Sequence, residues 1–137
     1  IEMPSNLLDF CLRISQRYQE IEDVSAIMQM QRYYERNKQY NFEDEKYIYI
    51  VPSTTQQVKD EAEMQSNCVY SIYYRHMLRE TYNSAIIFVR DKENPNQSLY
   101  TVEYDKEFHR FTQCYGYRNS QVDKDIVNHL FNQINQR

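Results

Sequence analysis

The stretch from Ser84 to Asn119, SAIIFVRDKENPNQSLYTVEYDKEFHRFTQCYGYRN, decides the fold. It begins with an apolar run over 84–90 that is rich in β-branched residues, and a turn built from Asn and Pro follows. Residues 99–104 then alternate between two faces, and a tight reversal leads into a third segment over 108–115. Because period-two alternation bounded by turn residues is typical of paired strands, we predict a three-strand antiparallel meander.

Gly116 follows the third strand and is the only glycine in the chain. A glycine is needed where the backbone takes a positive φ, or where packing leaves no room for a side chain. The sequence therefore predicts one of these two requirements at Gly116.

Upstream of the meander, residues 47–51 predict one more short strand, which Pro52 stops. We expect Ser53 to cap a helix over 54–65, because its hydroxyl can accept a hydrogen bond from the first turn. A second helix is predicted from 67 or 68 to about 80.

The two ends of the chain show helical periodicity, and residues 37–46 form a polar connector. The pattern at the C-terminus predicts a helix over 121–136. At the N-terminus, two helices or one bent helix are predicted. The apolar side of the first is Leu7, Leu8, Phe10, Cys11, Ile14 and Tyr18, and that of the second, which Asp23 caps, is Val24, Ile27, Met28 and Tyr34.

This order of elements predicts an α+β fold. We expect a four-stranded, mostly antiparallel sheet, made of the three-strand meander plus one strand, with helices packed on one face. The chain of 137 residues is predicted to be a single domain, with a helical N-terminal segment over 1–40 and an α+β core over 47–137. Because it begins with Ile1, we expect a piece of a longer protein.

Composition limits the setting. Three cysteines at unrelated spacings argue against a disulfide framework and for a reducing, cytoplasmic environment. No apolar run approaches 18 residues, so no membrane span is predicted. Residues 1–65 hold 7 Lys/Arg against 12 Asp/Glu, and residues 66–137 hold 9 against 8. Any contact with nucleic acid must therefore come from a local patch.

Five separated features carry a family resemblance: Cys68-Val69, the apolar run Ile86 to Arg90, Pro95, the pair Thr101 and Glu103, and the series Gln113, Gly116 and Asn119. Together they resemble the C-terminal region of PcfJ-like proteins, a family found on conjugative plasmids and other bacterial mobile elements. The resemblance covers the chain from about Val51 onwards. Where the family often has His before the Cys, this chain has Asn67. The resemblance implies a fold and a genomic setting rather than a reaction.

Cys68 is the candidate nucleophile, since it lies near a predicted helix start. Of the histidines weighed as its base, His76 is about 12 Å of helical rise away, which leaves His109. A free cysteine is more often a small buried hydrophobe, so we expect Cys68 to be buried and unreactive. Cys68, His76, His109 and Cys114 lack a zinc-ligand spacing, and no metal or cofactor is predicted.

Acidic residues near the strand ends give little support for a nuclease. Glu103 and Asp105 share a strand face, and Asp91 closes the previous strand. Lys106 falls one position late for the nuclease-like Glu-x-Lys spacing. The sequence therefore favours a non-enzymatic protein and leaves an enzymatic activity open.

The most suggestive surface combines tyrosine with arginine: Tyr74, Arg75, Arg79, Tyr117 and Arg118. Such residues stack on bases and contact phosphates, and they equally anchor protein interfaces. Half of the tyrosines could instead face the core with a solvated hydroxyl.

Two functions follow. The first is a non-enzymatic interaction module of a plasmid, phage or defence protein, which binds a protein or nucleoprotein partner. The alternative is a nucleic-acid-binding or processing domain that uses the Arg/Tyr face, with Glu103 as an acidic site. Convergence of Glu103, Gln113 and Asn119 in a concave pocket would favour a ligand or catalytic site, whereas dispersal would favour an interface. The sequence leaves the oligomeric state open.

Overall fold

The computed structural model describes residues 24–137, in which an antiparallel sheet lies between helices. The strands are β1 (Phe42–Glu43), β2 (Tyr47–Ile50), β3 (Ser84–Asp91), β4 (Asn94–Asp105) and β5 (Arg110–Tyr115). The helices are α1 (24–37), α2 (Thr55–Gln65), α3 (Tyr74–Met77) and α4 (Lys124–Asn135), with a π-helical turn at Val69–Tyr73 and 3-10 turns at Lys38–Tyr40 and Tyr117–Asn119. Within residues 24–137, no helix is both long and apolar enough to cross a membrane.

The strands lie in chain order, β1-β2-β3-β4-β5, and every neighbouring pair is antiparallel. The predicted meander is therefore confirmed, but the sheet has five strands rather than four. The extra strand, β1, falls in the segment predicted as a polar connector. Phe42 pairs with Tyr49 and stacks on its ring at a centroid distance of 4.1 Å. A strand of two residues is too short to show alternation, so the pattern did not reveal it.

Helices cover both faces of the sheet, so the prediction of a single covered face is wrong. All residues from Ala85 to Val89 are buried, and successive side chains of a strand point to opposite faces. Helix α2 contacts one face, where Glu61 pairs with Arg90. Helix α4 contacts the other, where Asn135 bonds the Tyr104 hydroxyl. The unbroken apolar run of β3 is typical of a strand buried on both sides.

The helix predicted from 67 or 68 to 80 begins with a π-helical turn and ends early. A π-helical turn at Val69–Tyr73 passes into α3, which ends at Met77. The cap of α2 is Thr54 rather than Ser53, because Thr54 and Gln57 form a reciprocal capping box. The C-terminal helix is shorter than predicted and begins after Asp123, which caps it.

Helix α1 buries a different side from the one predicted. Of the predicted positions, Tyr34 packs partly buried against the core, whereas Val24, Ile27 and Met28 are exposed. The buried positions are Ala26, Met30, Tyr33 and Asn37. Tyr33 is buried because its hydroxyl accepts a hydrogen bond from the Ile86 amide at 2.7 Å. The predicted helix over Leu7 to Tyr18 and the Asp23 cap lie outside the described residues.

The strand ends and Gly116 also differ from prediction. The turn expected over 91–97 is a reversal at 92–93, so β4 begins at Asn94, and β5 begins at Arg110 rather than residue 108. Gly116 has a φ of −92°, so the positive-φ alternative is wrong. A Cβ there would lie 2.7 Å from Ser120 Oγ, in agreement with the close-packing alternative.

Candidate functional site: a cleft between the π-helical turn and strands β4 and β5

A cleft of about 400 Å³ lies between the segment 67–73 and the ends of β4 and β5. Its polar lining includes Glu103, Gln113 and Asn119. These are the three residues whose convergence in a pocket was expected to indicate a ligand or catalytic site. The remaining lining residues are Asn67, Cys68, Val69, Ile72, Tyr73, Ile86, Thr101, Val102 and Tyr115. We refer to this site as the cleft.

Strand pairing builds one wall of the cleft. Thr101 and Glu103 lie two positions apart on β4 and so share a face, and their partners on β5 are Tyr115 and Gln113. Residues 67–73 form the opposite wall, and Asn67 joins it to the strands. Its amide nitrogen donates to Thr101 Oγ1 at 3.1 Å, and its oxygen accepts from the Val69 amide at 3.0 Å. Asn67 therefore fixes the start of the π-helical turn against the sheet.

Two hydroxyls hold the carboxylate of Glu103. Tyr82 donates to one carboxylate oxygen, and Thr112 donates to the other. Thr112 reaches Glu103 because the register shifts there, with Gln113 opposite Glu103 but Phe111 opposite Tyr104. Bulges of this kind re-aim side chains and are common beside functional sites. A carboxylate has about four acceptor positions, so Glu103 retains capacity for a further donor.

Among the described residues that line the cleft, Glu103 is the one carboxylate, and none is a lysine or arginine. Burial raises the pKa of Tyr82, and the hydrogen bond and negative charge of Glu103 raise that pKa further. Burial and the charge of Glu103 also raise the pKa of Tyr73, against the hydrogen bond from Gln113. Both tyrosines are therefore neutral hydroxyls beside a carboxylate, and the lining residues within 24–137 add no cation to it.

A family model for PcfJ-like proteins matches residues 3–128 of the chain. The chain belongs to the PcfJ-like protein family. It is also 30% identical over 132 residues to the uncharacterized protein Lin1253/Lin1744 of Listeria innocua serovar 6a (strain ATCC BAA-680 / CLIP 11262). That alignment covers 92% of this chain but 27% of the Listeria protein, so the chain spans about a quarter of that relative's length. No solved structure matches the chain.

The family match confirms the resemblance and extends it beyond the half of the chain that carried it. The motif features seen in the sequence began near Val51, whereas the family match begins at residue 3. In the structure, several of those motif residues line the cleft: Cys68, Val69, Thr101, Glu103, Gln113 and Asn119.

Cys68 is exposed and lines the cleft, so the prediction that it is buried is wrong. It lies at the start of the π-helical turn, where the predicted helix would have turned it inward. His109 bonds the Tyr104 hydroxyl at 3.0 Å, on the opposite face of the sheet from Glu103. His76 stacks on Tyr82 behind the cleft, and no histidine is among the described residues that line it. Neither His76 nor His109 therefore lies in the cleft beside Cys68.

The predicted Arg/Tyr face is not assembled as one surface. Helix α3 ends at Met77, so Arg79 lies beyond it and the i, i+4 relation with the exposed Arg75 does not apply. Arg79 lines a separate hollow with Arg32. The Tyr74 hydroxyl lies 2.8 Å from Thr55 Oγ1 and so joins α3 to α2.

Tyr117 and Arg118 are exposed and adjoin Asn119 at the cleft. The Arg118 guanidinium lies 5.3 Å from the centroid of the Tyr117 ring, a cation–π arrangement. Of the eight binding residues predicted from sequence, three therefore line the cleft and two adjoin it, while Tyr74, Arg75 and Arg79 lie elsewhere.

The sequence prediction missed four residues that shape the cleft: Asn67, Tyr73, Thr101 and Thr112. Thr101 was signalled by its spacing from Glu103, since alternation places the two on one face. Nothing in the sequence signals the bulge that brings Thr112 to Glu103. Across residues 24–137, no group of three His, Cys, Asp or Glu side chains is arranged to hold a metal ion.

Proposed function

We propose that this PcfJ-like domain is a protein-interaction module of a bacterial mobile-element protein, and that the cleft receives a segment of the partner. The observation that carries this proposal is the convergence of Glu103, Gln113 and Asn119 in one concavity. Because convergence favours a ligand site over a broad interface, the ligand in this proposal is one inserted segment of the partner. Apolar walls with a few polar groups that fix orientation are typical of ligand sites. Val69, Ile72 and Ile86 supply those walls.

Charge supports a protein partner over a nucleic acid at this site. Of the described part of the chain, the lining includes the carboxylate of Glu103 and no lysine or arginine. A phosphate would be repelled there, and the net charge of −4 gives no long-range attraction to set against this. A peptide segment offers the apolar side chains and hydrogen-bond donors that the cleft can accept.

A selection from a random peptide library displayed on phage tests the proposal. Peptides are selected on the wild-type domain and then measured against Ile72→Glu, which places a charge on the cleft wall. Ile72 is 51% exposed, so the substitution should leave the fold intact. The control is Phe108→Glu, an equally polar change at a site that is 65% exposed and lies on a turn away from the cleft.

We expect the selected peptides to bind the wild type and Phe108→Glu, and to lose at least about tenfold in affinity for Ile72→Glu, the equivalent of 1.4 kcal/mol. The proposal is wrong if the selection yields no peptides, or if Ile72→Glu binds them as well as the control does.

One observation favours nucleic acid as a second candidate. Tyr117 is 53% exposed, and its pairing with Arg118 gives a stacking platform next to the cleft. DNA and RNA oligonucleotides should then bind less tightly as salt rises, and Arg118→Ala should lower the slope of that dependence by about one unit. Absence of binding at low salt would eliminate this candidate.

A further inference from the structure

We infer that the partner segment presents an arginine or lysine side chain, whose charged group binds the carboxylate of Glu103. This inference rests on the proposed function and names the chemistry of its ligand.

The first argument is that no lysine or arginine within residues 24–137 forms an ion pair with Glu103. Its hydrogen-bond partners, Tyr82 and Thr112, are neutral donors that orient both carboxylate oxygens without neutralising them. The carboxylate–cation pairs found within residues 24–137 involve other carboxylates, such as Glu61 with Arg90 and Asp105 with Arg110. Because Glu103 is only partly exposed, a cation brought to it would be less screened by solvent than at a surface pair.

The second argument is the chemistry around the carboxylate. Tyr73 and Gln113 bond each other beside Glu103, and the Gln113 side-chain oxygen is an acceptor for an N–H donor. Tyr73 and Tyr115 also line the cleft and offer aromatic surfaces to a cation. An arginine presents several N–H groups in one plane, so it matches a carboxylate with acceptors nearby.

The third argument concerns how a protein delivers this side chain. Strand β5 is the last strand of the sheet, and within residues 24–137 the one pairing beyond it is a bridge between Tyr115 and Gln121. The rest of its outer edge can pair with an extended segment. Glu103 lies two strand spacings from such a segment, ~10 Å, which the long side chain of arginine or lysine spans together with that of Glu103.

The test uses blocked peptides of five residues, in which threonines flank a central arginine, lysine or citrulline. Citrulline keeps the shape of arginine but has no charge. Binding is followed by amide chemical shifts of the isotope-labelled domain for the wild type, Glu103→Gln and Glu107→Gln. Glu107 is an exposed glutamate on the β4–β5 turn, so the control removes the same charge outside the cleft.

We expect the arginine and lysine peptides to shift the signals of Glu103, Gln113 and the edge strand. The citrulline peptide should bind about tenfold or more weakly, as should the arginine peptide with Glu103→Gln. Glu107→Gln should bind like the wild type. The spectrum of Glu103→Gln also reports whether that variant is folded.

Three results would overturn the inference: no shifts with the arginine peptide up to about 10 mM, equal affinity for arginine and citrulline, or full affinity in Glu103→Gln. These results are separable from a failure of the proposed function. Selected phage peptides that require Ile72 but lack basic residues, and that ignore Glu103→Gln, would leave the interaction module standing and refute only the cation.

Discussion

Glu103 and Gln113 are direct partners across β4 and β5, and the register of the two strands shifts immediately after them. Both side chains therefore point into the cleft, while Tyr104, the next residue on β4, packs on the opposite face against Phe111 and Phe131. A slip of one residue would exchange these faces. The pairing thus decides whether the single carboxylate of the cleft is presented or hidden.

The bulge residue Thr112 gives the first prediction. Thr112→Val removes the hydroxyl that donates to Glu103 and leaves a side chain of similar shape. We expect the free energy of unfolding to fall by about 1 kcal/mol, because a hydrogen bond to a charged group is lost at an exposed site. Urea denaturation measures this change.

Thr112→Ser is the matched control, since it keeps the hydroxyl and loses only a methyl group. Its stability should stay closer to the wild type than that of Thr112→Val, and its affinity for the arginine peptide should be unchanged. If serine and valine variants behave alike in both measurements, the hydroxyl does not position Glu103.

Thiol reactivity gives the second prediction. Cys68 is exposed at the cleft, whereas Cys114 is half-buried, and burial raises the pKa of the Cys114 thiol to about 11. The thiolate is the reactive form, so at pH 8 only ~0.1% of Cys114 is available for attack. An aromatic disulfide reagent should therefore modify Cys68 at least about tenfold faster than Cys114.

The measurement uses two variants in which Cys11 is replaced by serine and either Cys68 or Cys114 is replaced as well. Each then reports on one thiol of the described fold. Equal rates in the folded state would mean that Cys68 is less accessible than its position in the cleft indicates. A bound cleft peptide should slow Cys68 and leave Cys114 unchanged.

The sheet was largely predictable because β3 and β4 carry strong local patterns. The run around Ile87 is apolar and β-branched, and the alternation around Val102 fixes which residues face the core. The same run also indicates that helices cover both faces of the sheet rather than one. Every residue from Ala85 to Val89 is apolar, which is typical of a strand buried on both sides.

Other elements depend on contacts that no local pattern contains. The inward face of α1 includes Asn37, whose amide donates to the Tyr33 carbonyl, while its oxygen accepts from Lys106, 69 residues away. From sequence alone, a polar residue such as Asn37 is predicted to lie at the surface, because its buried hydrogen-bond partners are not visible. Three exposed apolar residues on the same helix, Val24, Ile27 and Met28, look like its core.

Part of the cleft was predictable from local sequence patterns. Thr101 and Glu103 share a face because side chains alternate along a strand. Gln113 and Asn119 belong to the motif that follows, so the sequence could suggest that these residues converge. The bulge at Thr112 and the early end of α3 at Met77 are tertiary features. That early end leaves Arg79 beyond the helix and so separates it from the predicted face.

Gly116 gives the third prediction. Its φ is negative, so alanine can adopt the backbone conformation without strain, and it also lowers the entropy of the unfolded chain. Against this gain, the new Cβ would lie 2.7 Å from Ser120 Oγ, which must rotate away. We expect Gly116→Ala to change the free energy of unfolding by less than about 1 kcal/mol, as measured by thermal and urea denaturation.

The Ser120→Ala background removes the atom that an alanine at position 116 would meet. In that background Gly116→Ala should be more favourable than in the wild type. A loss of several kcal/mol in both backgrounds would show that the glycine is required for a reason other than contact with Ser120.

Glu61 lies at a second buried polar site, beneath α2. Its side chain is fully buried, the Arg90 guanidinium lies 3.4 Å from one carboxylate oxygen, and Ser98 donates to the other. Gln65 in turn donates to Ser98 at 2.9 Å. Burial raises the pKa of Glu61 to about 7, although the hydrogen bond from Ser98 and the charge of Arg90 act in the opposite direction. Glu61 therefore takes up a proton near neutral pH.

This shift makes the stability of the fold depend on pH, which is the fourth prediction. Below the ordinary pKa of 4.5, Glu61 is protonated in both the folded and the unfolded chain. Between pH 4.5 and about 7 the folded chain keeps the proton that the unfolded chain has lost. The free energy of unfolding therefore falls as pH rises, by up to ~3 kcal/mol.

Glu61→Gln should remove this decline, because its amide does not titrate. Glu63→Gln, at an exposed position of the same helix, should retain it. Urea denaturation of the three proteins at intervals from pH 4.5 to 8 measures the effect, and a constant difference between wild type and Glu61→Gln across that range would contradict a proton bound at Glu61.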